Sequence, residues 1–305
     1  MKISRKQLKQ IVKNFLFKNE LVFATLVFKI FFCLNKNCIL TCERTDGGGA
    51  QIHGRLSVLA FANFFGVKFL NTPIRNANFA NSKDQYSTNI SWDNQWNALI
   101  NFESLSEKSL SKDWQLVKVP TTTELWKVII KKIFSLKIKS KYLFVLESAH
   151  RYTDLRPKII GNSRNLFQDM LNPIPLKVNE DIVIHLRRGD ATQNTVRYTA
   201  DETIFTTLVG LMTKYPNTSI RIYTNEPFDL PKKFYSLITV DVESSPFEAI
   251  THMANCKILV IAKSSMSYIA ALMNKETVYC PNFWHPKMNN WINASELETF
   301  KYQLN

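Results

Sequence analysis

Asp181-Ile182-Val183-Ile184-His185-Leu186-Arg187-Arg188-Gly189-Asp190 is the stretch from which the rest of the chain can be read. Ile182 to Ile184 is a short apolar run of the kind that forms a buried strand, and it leads directly into an imidazole, two guanidiniums, a glycine and a carboxylate. Side chains alternate along a strand, so His185 and Arg187 are expected on one face, with Arg188 on the other as the partner of Asp190. Gly189 lets the chain turn away and leaves the charges at the strand's carboxyl end. Ligands of open α/β sheets gather at that end. A guanidinium fork beside an imidazole suits a phosphate or diphosphate. By residue type alone, the same stretch also describes a solvated strand end with one Arg–Asp pair.

Towards the C-terminus the alternation is regular. Helix is expected over Ala200–Lys214, strands over Ile220–Thr224 and Ser236–Val242, and a helix with Pro at its first position over Pro246–Ala254. A strand over Lys257–Ala262, a helix over Ser264–Met273 and a strand over Thr277–Cys280 follow. Strand and helix in turn predict an α/β fold with a parallel sheet and right-handed crossovers. Ser264 and Ser265 lie where strand passes to helix, so hydroxyls and free backbone N–H groups meet there as a candidate anion site.

Towards the N-terminus, Cys38–Glu43 reads as a strand, Asp46-Gly47-Gly48-Gly49-Ala50-Gln51 as a glycine-rich ligand loop and Gln51–Phe65 as a helix. The loop fits neither the dinucleotide fingerprint nor a P-loop. Val67–Asn71 reads as the next strand. Residues 75–115 read as loops and short helices, with Trp92, Trp96 and Trp114 as candidate sugar-stacking rings. Residues 122–138 carry a basic amphipathic helix, Tyr142–Glu147 a strand with His150-Arg151-Tyr152 just past its end, and Pro157–Met170 a helix. Asn172-Pro173-Ile174-Pro175 is a stiff linker, which divides the chain into an extension over 1–37 and domains over 38–176 and 177–305.

The 305 residues are 45% hydrophobic and carry a net charge of +14, which is concentrated locally. Residues 1–37 hold eight Lys or Arg against one Glu, and residues 127–141 hold six Lys and no acid. Local basicity of this kind points to an anionic surface partner. Residues 4–18 place Leu8, Ile11, Val12, Phe15 and Leu16 at helical spacing among lysines. Residues 21–34 are apolar apart from Lys29, but are too short to span a bilayer, which takes about 20 residues. The expectation is peripheral membrane contact through residues 1–34, at the cytoplasmic side or as Golgi-type attachment in a eukaryote; docking on the protein's own body is the other reading. No nucleic-acid module accompanies the basic stretches, so no nucleic-acid partner is expected. The five cysteines show neither zinc nor disulfide spacing, and no metal cluster is visible.

Three segments together resemble the glycosyltransferases that carry an HxRRGD motif, the α1,2- and α1,6-fucosyltransferases. His185-Leu186-Arg187-Arg188-Gly189-Asp190 matches that pattern throughout. Glu248 through Met273 resembles the second motif, an acid, a Met and a Cys before an apolar strand that ends in Ser-Ser. Gly47-Gly48-Gly49-Ala50-Gln51 is similar to the N-terminal glycine loop of the α1,2 enzymes. The resemblance implies a GT-B fold of two facing Rossmann-like domains. It also implies an inverting, metal-independent transfer of fucose from GDP-fucose to a glycan acceptor, with no cofactor beyond the donor. By the same resemblance Arg187 binds the diphosphate with His185 beside it, and Asp190 holds the arginines, Arg188 included. Ser264 and Ser265 contact phosphate, and Glu248 lies near the nucleoside. Thr224 and Asn225 stand on the donor side, and Gly48 and Gly49 face the cleft. Ala50 stands where the α1,2 pattern has Asn, and Met266 where the second motif has an aromatic residue, so the linkage stays open. Asp46 and His53 are the two candidates for the general base. A donor such as GDP-mannose or a UDP-sugar is the nearest alternative, and a non-catalytic basic binding protein a more distant one.

Overall fold

The computed structural model describes residues 20–77, 89–102, 113–135, 137–172, 174–176 and 178–303, so the basic stretch read over 4–18 lies outside the described residues. The chain forms two compact units. The first draws on Met1–Glu43, Gly54–Thr72 and Ser104–Ile159, the second on Arg44–His53, Pro73–Glu103 and Ile160–Asn305. Segments 44–53 and 73–103, placed with the N-terminal half on sequence, belong to the second unit because of what they bury. Trp92 and Trp96 pack on Phe247, with ring centroids 5.0 and 4.8 Å away.

In the first unit, strands β1 (Cys38–Cys42), β2 (Lys68–Leu70), β3 (Gln115–Lys118) and β4 (Tyr142–Leu146) form a parallel sheet in the order β2-β1-β4-β3. All five residues of β1 are buried, which is why its sequence is an apolar run rather than an alternation. Strand β3 is at the edge and exposes three of its four residues, so it carries no strand pattern. Helix α1 (Glu20–Leu34) buries Phe28, Phe31 and Phe32 against an aromatic core. Phe28 meets Phe61 edge-on at 5.0 Å, and Thr25 Oγ1 lies 2.6 Å from Tyr152 Oη. Helix α2 spans Gly48–Phe65. Helix α3 (Asn89–Leu99) belongs to the second unit. Helix α4 runs over Thr122–Phe134, with Thr121 as its N-cap, and stops short of the expected 138 at Ser135. A short helix α5 (His150–Asp154) follows β4, then α6 (Pro157–Met170).

The second unit holds β5 (Ile182–His185), α7 (Asp201–Lys214), β6 (Ile220–Tyr223), β7 (Ile238–Asp241), α8 (Pro246–Asn255), β8 (Ile258–Val260), α9 (Ser265–Met273), β9 (Thr277–Cys280) and β10 (Ile292–Asn293). The six strands pair in parallel in the order β10-β9-β8-β5-β6-β7. Counted from β5, this is the doubly wound Rossmann order 3-2-1-4-5-6. Strand β5 is therefore central, and Ile182, Ile184, Ile220 and Ile222 sit in a core with Leu208 and Leu211 of α7. The strand order reverses between β5 and β8, and in such sheets that switch point is where ligands bind. The fold is thus α/β with two parallel sheets, as the alternation predicts.

Candidate functional site

Beyond His185, Leu186 N donates to Tyr223 O, and Arg187 then leaves the sheet. Gly189 has φ +79°, a left-handed conformation that favours glycine, and it folds the chain back on itself. Asp190 is thereby brought to Arg187. Arg187 Nε donates to Asp190 Oδ1 at 2.9 Å, and Nη2 donates to Oδ2. Arg187 Nη1 donates to Ser264 Oγ at 3.2 Å. Ser264 is the N-cap of α9, its hydroxyl also accepting from Met266 N at 3.3 Å. One guanidinium therefore spans the switch point, from the carboxyl end of β5 to the helix start that follows β8. The Arg187 hydrogen bonds hold the Asp190 carboxyl below its usual range, and the charges of Arg187 and Arg197 add to this.

Arg188 is not the partner of Asp190. Period-2 alternation ends with the strand, and the turn at Gly189 gives Asp190 to Arg187. Arg188 is buried on the other side, where Nη2 donates to Asp201 Oδ1 at 2.5 Å and the guanidinium lies 4.3 Å from the Tyr198 ring centroid. It ties the strand end to the first turn of α7. His185 is buried at the end of β5, and burial, with the charge of Arg187, pushes its pKa down to about 3. The ring is neutral at physiological pH, so Arg187 is the cation of the motif's ligand side.

Two of the expected donor-side residues follow β6. Thr224 is buried, its hydroxyl donating to Glu226 O, while Asn225 is exposed. Asn225 and Glu226 lie against Gly189, where an added Cβ would sit 3.8 Å from Asn225 Cβ and 3.7 Å from Glu226 Oε1. Ser265 opens α9 and offers one of its free N–H donors. Glu248 is bonded within its own helix start. Its Oε2 accepts from Ser245 N and Ser245 Oγ, both at 2.9 Å, and closes a capping box on α8.

Two of the three glycines of the run, Gly48 and Gly49, lie in a helix rather than a loop. Helix α2 begins at Gly48, and the two glycines serve close packing within the second unit. A Cβ on Gly48 would lie 2.1 Å from the Trp96 indole, and one on Gly49 3.0 Å from Met266 Cα. Their open faces are thus filled by Trp96 and the first turn of α9. Of the two candidate bases, His53 is fully buried, with its ring 4.3 Å from that of His285 and 5.0 Å from that of Tyr268. A ring so enclosed is out of reach of an acceptor hydroxyl. Asp46 is 41% exposed and paired with Arg44.

Sequence reasoning missed Arg197 and Trp284. Arg197 Nη1 lies 3.6 Å from Asp190 Oδ2, and its guanidinium lies 5.6 Å from the Trp284 ring centroid. Two guanidiniums thus converge on one carboxylate. Trp284 is 43% exposed just past β9, whereas Trp92 and Trp96 are buried and offer no stacking surface. The rule that ligand residues follow strand ends would have found Trp284; Arg197 sits in an unpatterned stretch and gave no signal. The first unit has a cavity of about 360 Å³ past the ends of β3 and β4, lined among others by Trp126, Thr122, Glu20 and Arg151.

No family model and no curated protein matches the chain. Among solved structures, it is similar to a point mutant of Arabidopsis thaliana FUT1 in complex with GDP, at 10% identity over 83% of this chain and 72% of that one, with a TM-score of 0.43. It is similar to POFUT1 in complex with GDP-fucose, at 9% identity over 84% and 98% of the two chains, TM-score 0.41. It is also similar to E. coli heptosyltransferase WaaC with ADP-2-deoxy-2-fluoro heptose, at 14% identity over 88% and 100%, TM-score 0.38. Likeness this distant leaves the functional reading to the residues of the site.

Proposed function

We propose that the chain is a glycosyltransferase that draws its sugar from a nucleoside diphosphate, and that the donor is GDP-fucose. The observation that carries this is the Arg187 guanidinium, fixed by Asp190 and bonded to Ser264 across the switch point of a Rossmann-order sheet. When the bond between C1 of the sugar and the β-phosphate oxygen breaks, negative charge develops on the leaving phosphate. Cationic and N–H donors already aimed at it stabilise that charge, usually the largest catalytic contribution. Arg187 and the N-terminal donors of α9 supply this stabilisation, with Arg197 close by at Asp190.

Fucose and the GDP moiety rest on the HxRRGD resemblance, as do inversion, independence from a divalent metal, and α1,2 or α1,6 linkage to a glycan hydroxyl. In that reading the acceptor oxygen attacks C1 opposite the phosphate and gives its proton to a base. Asp46 is the candidate that solvent reaches. The products are the fucosylated glycan, GDP and one proton. Thermal shift with GDP, UDP, CMP and ADP tests the nucleotide, and hydrolysis of GDP-fucose with and without EDTA tests donor and metal. Stabilisation by GDP alone and EDTA-insensitive hydrolysis are expected. Stabilisation by UDP but not GDP sinks the GDP-fucose reading, and loss of hydrolysis in EDTA sinks metal independence.

A further inference from the structure

Helix α1 is apolar on two faces, and the protein's own core uses one of them. Phe28, Phe31 and Phe32 face inwards and are at most 2% exposed. On the outside, Val22, Leu26, Ile30 and Leu34 follow one another at four-residue spacing and are 64, 54, 44 and 59% exposed. The exposed Cys33 lies beside them, and Lys29 is the one charge on that face. A helix face open to water is ordinarily polar. This one has the composition of a buried face.

We propose that the outer face of α1 lies on an anionic lipid surface, with the helix in the plane of the interface. Size argues against a protein partner. Four half-exposed aliphatic side chains amount to roughly 400 Å², about half of the ~800 Å² per partner that a stable protein interface buries. Charge argues for anionic lipid. Residues 1–19 run directly into α1 and carry six Lys or Arg with no Asp or Glu. Helix α4 packs against α1 and adds Lys131, exposed and with no carboxylate in ion-pair range among the described residues. An apolar stripe in a chain segment rich in basic residues is the pattern of helices that lie in a membrane interface. Among the described residues no helix is long and apolar enough to cross a membrane, so in-plane contact is the geometry available to α1. This surface is independent of the donor chemistry proposed above.

The test is co-flotation of the full chain with vesicles of phosphatidylcholine alone and of an equal mixture of phosphatidylcholine and phosphatidylglycerol. The protein is expected to float with the mixed vesicles, less so as salt rises, and not with the neutral ones. The double variant L26E/I30E changes exposed side chains only. It is expected to lose at least about tenfold in vesicle-bound fraction with an unchanged melting temperature. Three results would overturn the proposal. The wild-type protein does not float with the mixed vesicles, or the double variant floats as wild type does, leaving the binding to residues 1–19. Alternatively, L26E/I30E lowers the melting temperature or dissociates a dimer without vesicles present, which makes the cover a segment of the chain itself or a second copy.

Discussion

Arg187 and Arg188 are adjacent in sequence and opposite in role, and substitution separates them. Arg187→Ala removes a guanidinium that touches both Asp190 and Ser264. Donor hydrolysis is expected to fall by about 100-fold or more, with loss of the thermal shift by GDP, in a protein that gives up the Asp190 pair and stays folded. Arg187→Lys keeps a charge but not the planar fork, so it is expected to recover only a small part of that loss. Arg188→Ala removes a buried side chain that pairs with Asp201 and stacks on Tyr198. It is expected to cost about 1–3 kcal/mol in a urea titration while GDP still binds to the folded protein. If Arg188→Ala were the inactive variant and Arg187→Ala the unstable one, the assignment of roles would be reversed.

At the scale of elements, helix starts organise the second unit. Ser245 and Glu248 cap α8 reciprocally, so Ser245→Ala is expected to cost about 0.5–2 kcal/mol of stability and to leave GDP affinity unchanged. Glycine at the start of α2 has the opposite logic. Alanine is the better helix former, yet Gly48→Ala pushes a methyl into the Trp96 indole and is expected to destabilise by about 1–3 kcal/mol. Differential scanning calorimetry of the two variants checks both signs. These elements also mark what was legible in the sequence. Strands β5, β6, β8 and β9 are nearly all buried, so each reads as an apolar run with clear ends. Edge strand β3 exposes most of its residues and has no such run. A triple glycine signals close approach of something to the backbone, and sequence alone does not say whether that is a ligand or a tryptophan. Alternation does not predict the partner of Asp190, because a glycine in the left-handed region ends the strand periodicity before it. Arg197 and Trp284 meet at the site only because the topology brings the ends of β5 and β9 to one edge of a sheet.

Across the whole molecule, the groups that govern acid sensitivity are unevenly shared between the two units. His185 and His252 lie in the second unit, and burial lowers the pKa of both. An unfolded histidine takes up a proton as pH falls through about 6.5, while the folded His185 waits until about 3. Between those values the unfolded state binds more protons, so stability rises with pH and is lost on acidification. For His185 the loss is about 2 kcal/mol by pH 5. Glu180, Asp190 and Asp241 have lowered pKa values in the folded second unit, the last two held down by hydrogen bonds from Arg187 and from Ser244 among others. Their contribution is present above the ordinary carboxylate range and disappears only below it, as pH falls through the folded values. In the first unit the resolved shifts, those of Cys38 and Tyr152, are upward and concern alkaline pH. Thermal unfolding followed from pH 7.5 down to about pH 5 is therefore expected to show the second unit losing stability. His185→Asn removes an imidazole whose pKa burial lowers and should flatten that dependence. GDP at about 100 times its Kd should offset it by about 2.7 kcal/mol if it binds the folded second unit. A variant whose stability still fell with the wild-type slope between pH 6.5 and 5 would show that His185 is not the neutral buried ring that this sheet requires.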